Sequence, residues 1–151
     1  MYNWSAMTSL ADEIREILAV EAAEALAAGW AEVREEEREI GLTLFLEPMK
    51  LAAAPLEVYF DSDQLLVCSP GRHDMVCEFF SEDPEEIKRQ VRALTRAVVK
   101  GSYAERLQAG TTEIVAEWPG PDGREQATRS LLAMRSSGRE SWRAVGYEPY
   151  S

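Results

Sequence analysis

Histidine occurs once, as His73, and cysteine twice, as Cys68 and Cys77, in a chain of 151 residues. So few soft ligands exclude the C-x2-C and H-x3-H pairs from which zinc sites are normally built. Two cysteines in a chain long enough to bury a core without staples fit a reducing cytoplasm. No stretch approaches the roughly 18–20 apolar residues of a membrane span. The N-terminal MYNWSAMTSLADEIRE has neither the basic region nor the apolar core of a signal peptide. Neither G-x-x-x-x-G-K-[ST] nor G-x-G-x-x-G occurs, so no glycine-rich loop cradles a phosphate. A cytoplasmic protein without a cofactor, metal or membrane anchor is the expectation.

Acid is plentiful and unevenly spread. The formal net charge is −11, and residues 1–63 hold 14 Asp/Glu against 4 Lys/Arg. Residues 64–119 hold 9 against 7, and residues 120–151 hold 4 against 5. Glu32, Glu35, Glu36, Glu37 and Glu39 form the densest run, broken only by Val33, Arg34 and Arg38. Such a field repels nucleic acid and anionic lipid and attracts basic partners. A hydrophobic content of 46% is ordinary for a folded chain, so the charge does not signal disorder.

Periodicity predicts a single α+β domain over residues 1–151, with two main helices on a mostly antiparallel sheet in the order α-β-β-β-α-β-β-β. Ser9, with Asp12 three residues on, predicts the cap of a first helix carrying Leu10, Ile14, Ile17 and Leu18 at helical spacing. Gly29 closes it. Residues 30–40 fit either a continuation of the helix or an exposed strand; a loop or edge strand is the preferred assignment. Residues 41–47 read as a strand stopped by Pro48, and residues 56–60, 64–69 and 75–80 as strands, with a three-strand antiparallel meander as the economical reading and the turn of the last pair centred between Arg72 and His73. That centre sets Cys68 opposite Cys77, two small hydrophobes beside Leu66 and Phe79. Asp83, Pro84, Glu85 and Glu86 open a second helix, with Ile87, Val91, Leu94 and Val98 as its apolar stripe and Gly101 as its end. Residues 102–108 are expected to add a short helical piece. Strands over 111–118, 124–134 and 140–147 then complete the sheet.

Few residues carry chemistry. His73 beside Asp74 would serve as a base with an orienting carboxylate, but no nucleophile motif accompanies it, and a polar hairpin turn explains the pair as well. Cys68, His73, Asp74 and Cys77 match no zinc spacing, and core packing explains the cysteines. Asp61-Ser62-Asp63 continues into Gln-Leu-Leu and lacks the spacing of a calcium loop. Arg124, Arg129, Arg135, Arg139 and Arg143 are matched by nearby acids, which leaves a nucleic-acid partner disfavoured. The acidic run is either a solvated face or a docking surface, and Trp30 beside it is the residue type that anchors interfaces.

The stretch Val98-Val99-Lys100-Gly101-Ser102-Tyr103-Ala104-Glu105-Arg106 follows an amphipathic helix, and Gly146-Tyr147-Glu148-Pro149-Tyr150 closes the chain. Together with the intervening hairpins, these resemble the small acidic immunity proteins that neutralise bacterial polymorphic toxins. The resemblance implies a stoichiometric inhibitor without catalytic residues, whose acidic surface plugs a toxin's active site, often a basic nuclease cleft. Type III secretion chaperones are similar in size, acidity and element order. The chain departs from them in its additional C-terminal strand and its early acidic block. An enzyme centred on His73 is the third alternative.

Overall fold

The first helix starts earlier than Ser9. In the computed structural model, which describes residues 4–39, 41–61, 66–79, 83–130 and 144–151, α1 spans Trp4–Glu21 and α2 follows at Ala23–Ala28. Ser9 is internal to α1, since residues 4–8 contain no glycine or proline to stop a helix there. Ile14, Ile17 and Leu18 are buried as the helical spacing predicts. Gly29 takes a left-handed φ of 77° and donates its N–H to the carbonyls of Ala25 and Leu26.

The chain then becomes a meander of five antiparallel strands: β1 (Ala31–Arg38), β2 (Gly41–Pro48), β3 (Leu56–Asp61), β4 (Leu66–Pro70) and β5 (Cys77–Phe79), paired in that order. Within residues 30–40 the edge strand is found over Ala31–Arg38, and residue 40 lies outside the described residues. Cys68 lies opposite Cys77 and Leu66 opposite Phe79, the register set by a turn centred between Arg72 and His73. The expected turn at Asp61-Ser62-Asp63 falls largely outside the described residues.

Helix α3 (Pro84–Lys100) follows from its sequence signals. The Asp83 carboxylate accepts from the Glu85 N–H at 3.0 Å, Pro84 fills the first turn, and Gly101 closes the helix at φ 75°. Ile87, Val91, Leu94 and Val98 are all buried. Helices α1 and α3 pack together and are clasped outside by Lys88 with Glu13 (3.3 Å) and Arg96 with Glu21 (2.8 Å).

Residues 102–108 do not form the expected helical piece. Ala104–Leu107 is a strand, β6, with Tyr103 and Glu105 buried and Arg106 exposed. The inward residue is a glutamate instead of a hydrophobe, which hides the period of two. Strand β6 joins β7 (Glu113–Gly120), β8 (Gly123–Ser130) and β9 (Val145–Gly146) in a second antiparallel sheet ordered β8-β7-β6-β9. The expected strands over 124–134 and 140–147 are thus seen in part, and residues 131–143 lie outside the described set. The α+β class holds, with the strands divided between two sheets. Among the described residues no helix is long and apolar enough to cross a membrane.

Candidate functional site

Among the described residues, strand β1 is the outer strand of its sheet, paired only with β2. Alternation along it sends successive glutamates to opposite faces. Val33 and Glu35 pair with Leu46 and Leu44, which belong to the core, and Glu35 reaches Arg15 of α1 at 2.7 Å. Glu37 shares that face by parity. Glu32, Arg34 and Glu36 lie on the other face, where the Arg34 guanidinium covers the Phe45 ring at 4.0 Å. Glu32, Glu35, Glu36, Glu37 and Glu39 are all exposed. The predicted acidic residues therefore share one strand and its end but form two faces, not one patch. Charge on an edge strand also discourages pairing with other chains, which by itself accounts for some of this acidity.

Trp30 precedes β1 and is 38% exposed. Its carbonyl accepts the Met49 N–H at 2.8 Å, placing the residue beside the β2–β3 loop. That loop presents Met49 and Leu51, 57% and 85% exposed. Sequence reasoning missed both, because they lie far along the chain and carry no motif. Three large apolar residues thus gather near one end of an acidic strand, the composition of an anchor with a charged surround.

The second place where chemistry collects surrounds His73. Its Nδ1 lies 2.9 Å from Glu105 Oε1, and the Glu105 side chain is completely buried. The hydroxyls of Tyr147 and Tyr103 donate to the same carboxylate at 2.6 and 2.8 Å. Tyr147 in turn accepts the Arg72 N–H at 3.0 Å. The two tyrosine rings stack with centroids 5.7 Å apart. Burial first, and then the Glu105 charge, push both phenols well above the usual tyrosine range, so both remain neutral donors. Tyr103, Glu105 and Tyr147 were not singled out with His73, since the partners are 32 and 42 residues apart in pairs.

This cluster works as a latch. It joins the β4–β5 turn to β6 and the C-terminal segment, two parts of different sheets. Gly71 approaches so closely that a Cβ would meet the Tyr147 hydroxyl at 2.9 Å and Glu105 Oε2 at 3.1 Å. The Arg72 guanidinium ties down the carbonyls of Leu51 (3.0 Å) and Ala53 (3.1 Å). With Glu105 buried and its carboxylate satisfied by neutral and ring donors, the arrangement fits holding two sheets together better than exchanging protons with a substrate.

Cys68 and Cys77 are buried free thiols. Burial, then its neighbour Cys77, raises the Cys68 thiol well above the ordinary range. Burial and then the Glu105 charge push Cys77 up to about 12. Thiols so protonated make poor nucleophiles and ligands, and they pack as small hydrophobes. Among the described residues no three His, Cys, Asp or Glu side chains gather as metal ligands would. Arg124 lies 3.2 Å from Glu117, which Arg106 also holds at 2.7 Å. No protein-family model, curated protein or solved structure matches the chain.

Proposed function

We propose that the protein is a non-enzymatic, acidic binding protein of the bacterial cytoplasm, an immunity protein that neutralises a cognate toxin by stoichiometric binding. The observation that carries this reading is the edge strand β1 with its exposed glutamates, beside the apolar group Trp30, Met49 and Leu51. Complementary charge speeds encounter with a basic toxin domain, and a desolvated aromatic anchor slows release. An acidic strand can also occupy a cleft shaped for phosphate. The protonated buried thiols and the latched His73 favour a binding role over a catalytic one.

The alternative of a type III secretion chaperone that dimerises through its second helix finds less support. The α3 stripe is already covered within the single chain, and Leu94 has no exposed surface to offer a second copy. The experiment is a binding titration against the toxin encoded beside this gene, at low and high salt. Nanomolar, salt-sensitive association with loss of toxin activity at equimolar ratio is expected. Absence of association with any neighbouring toxin domain overturns the reading.

A further inference from the structure

The edge of the five-stranded sheet opposite β1 borders a groove of about 590 Å³. That volume lies within the range of roughly 300–1,000 Å³ typical of binding pockets. Its walls come from β5, the first half of α3, and the β7–β8 hairpin. Residues 76–79 line one side consecutively, and residues 125–128 line the other. Side chains alternate between the faces of a strand, so a cavity touched by every residue in turn runs along the strand's edge. Strands β5 and β8 are the terminal strands of their sheets. Among the described residues, the groove is therefore bounded by two strand edges whose main-chain donors and acceptors have no further strand to meet.

Two polar atoms in this wall are buried without a hydrogen-bond partner: the Trp118 indole Nε1–H and the Gln90 carboxamide Oε1. Trp118 is only 2% exposed. A buried donor or acceptor left unmatched costs about 1–3 kcal/mol and is uncommon enough to need a cause. Both atoms have essentially no accessible surface, so they are unmatched polarity within the wall and not partners presented to the groove. The charge of the lining has a single sign: Glu78, Glu86 and Glu125 contribute, and no lysine or arginine does among the described residues. Glu86 is engaged by Arg89 and Gln90. Ile87 and Phe79 supply apolar floor.

We propose that this groove binds an extended, lysine-bearing segment of a protein partner, added as a strand along the open edge of β8. Main-chain pairing with residues 125–128 gives the segment its direction. Its lysines meet Glu78 and Glu125, and its apolar side chains rest on Ile87 and Phe79. The site lies at the other end of the sheet from β1 and stands whether or not β1 meets a toxin.

The test uses the full chain and a blocked peptide of alternating lysine and valine, as long as the 8 residues of β8. Binding is expected together with slowed amide exchange at residues 125–128. The Glu78→Lys/Glu125→Lys variant should weaken it at least about tenfold, because like charges then face the lysines. A peptide with proline at alternate positions should lose binding, since it has no N–H there to pair. The Glu16→Lys/Glu24→Lys variant, which makes the same change of charge on α1 and α2, should bind as the parent does. Lack of binding by the lysine–valine peptide overturns the proposal. So does equal binding of the proline peptide, or an equal loss in the α1–α2 variant. The first result would reject this groove while leaving the immunity reading intact, because no toxin enters the experiment.

Discussion

The Tyr147 hydroxyl donates at 2.6 Å to the buried carboxylate of Glu105, 42 positions earlier in the chain. This bond joins the two stretches that resemble immunity proteins, residues 98–106 and 146–150. Around it, Ala104 pairs with Gly146, the Tyr150 N–H reaches the Val99 carbonyl at 3.0 Å, and a Cβ on Gly101 would strike Pro149 N at 2.7 Å. The residues that carry the resemblance thus have an architectural use: they fasten the C-terminal segment to α3 and β6. A partner surface must be sought elsewhere.

Removing the acceptor at the centre of the latch should cost more than removing one donor. Glu105→Ala leaves two buried phenols and the His73 ring nitrogen without their acceptor, at about 1–3 kcal/mol for each buried group left unmatched. Tyr147→Phe leaves the carboxylate with Tyr103 and His73, so the loss should be nearer the ~1.5–3 kcal/mol of one hydrogen bond to a charged group. Urea unfolding of both variants measures the order. Equal midpoints for Glu105→Ala and the parent would mean that the cluster does not hold the sheets together.

Two glycines separate backbone strain from crowding. Gly29 and Gly71 share nearly the same φ, 77° and 78°, yet a Cβ on Gly29 meets nothing within 4 Å while one on Gly71 meets Tyr147, Tyr103 and Glu105. Gly29→Ala should therefore show the conformational penalty alone, about 1–2 kcal/mol. Gly71→Ala should exceed it, and thermal unfolding of the pair provides the comparison. Similar losses would show that the latch yields to a methyl group.

Stability should fall on the alkaline side. Cys77 is held protonated up to about 12 in the fold, against 9.0 ordinarily, and Cys68, Tyr103, Tyr147 and Tyr150 are also raised, with burial as the leading cause. A raised group releases its proton first in the unfolded chain. Its contribution is whole below the unfolded value and is lost as pH rises towards the folded one. The cysteines should begin to destabilise near pH 9 and the tyrosines near pH 10. Each group steepens the decline by up to about 1.4 kcal/mol per pH unit. Urea midpoints from pH 8 to 11 give the slope, and Tyr147→Phe should reduce it.

Leu94→Ala tests the helix that sequence placed best. Leu94 is fully buried in the α3 stripe, so a loss of about 2–5 kcal/mol is expected in denaturant unfolding. Helix α3 was legible because its cap, proline, stripe and closing glycine all agree. The Cys68–Cys77 register was legible for a different reason: one turn centre fixes every pair on both strands. Strand β1 was ambiguous because charge on both faces leaves no hydrophobic period. Strand β6 was missed because Glu105 stands inward where a strand usually places a hydrophobe. The His73 partners were invisible because nothing local in the sequence marks residues that meet only after two sheets have formed.

The two faces of β1 make the partner experiment sharper than reversing glutamates at random. Glu32 and Glu36 lie with Arg34 over Phe45, whereas Glu35 and Glu37 lie on the α1 side, where Arg15 already neutralises part of the charge. A rigid partner docking on one face of the strand feels mainly one pair, since exposed charges are screened over about 8 Å at physiological salt. Glu32→Lys/Glu36→Lys is expected to slow association more than Glu35→Lys/Glu37→Lys, with the difference shrinking as salt rises. Trp30→Ala should instead hasten dissociation, the mark of an anchor. Stopped-flow association and dissociation rates against the neighbouring toxin domain separate these effects. Identical rates in all three variants would leave β1 as a charged edge that only keeps other strands away.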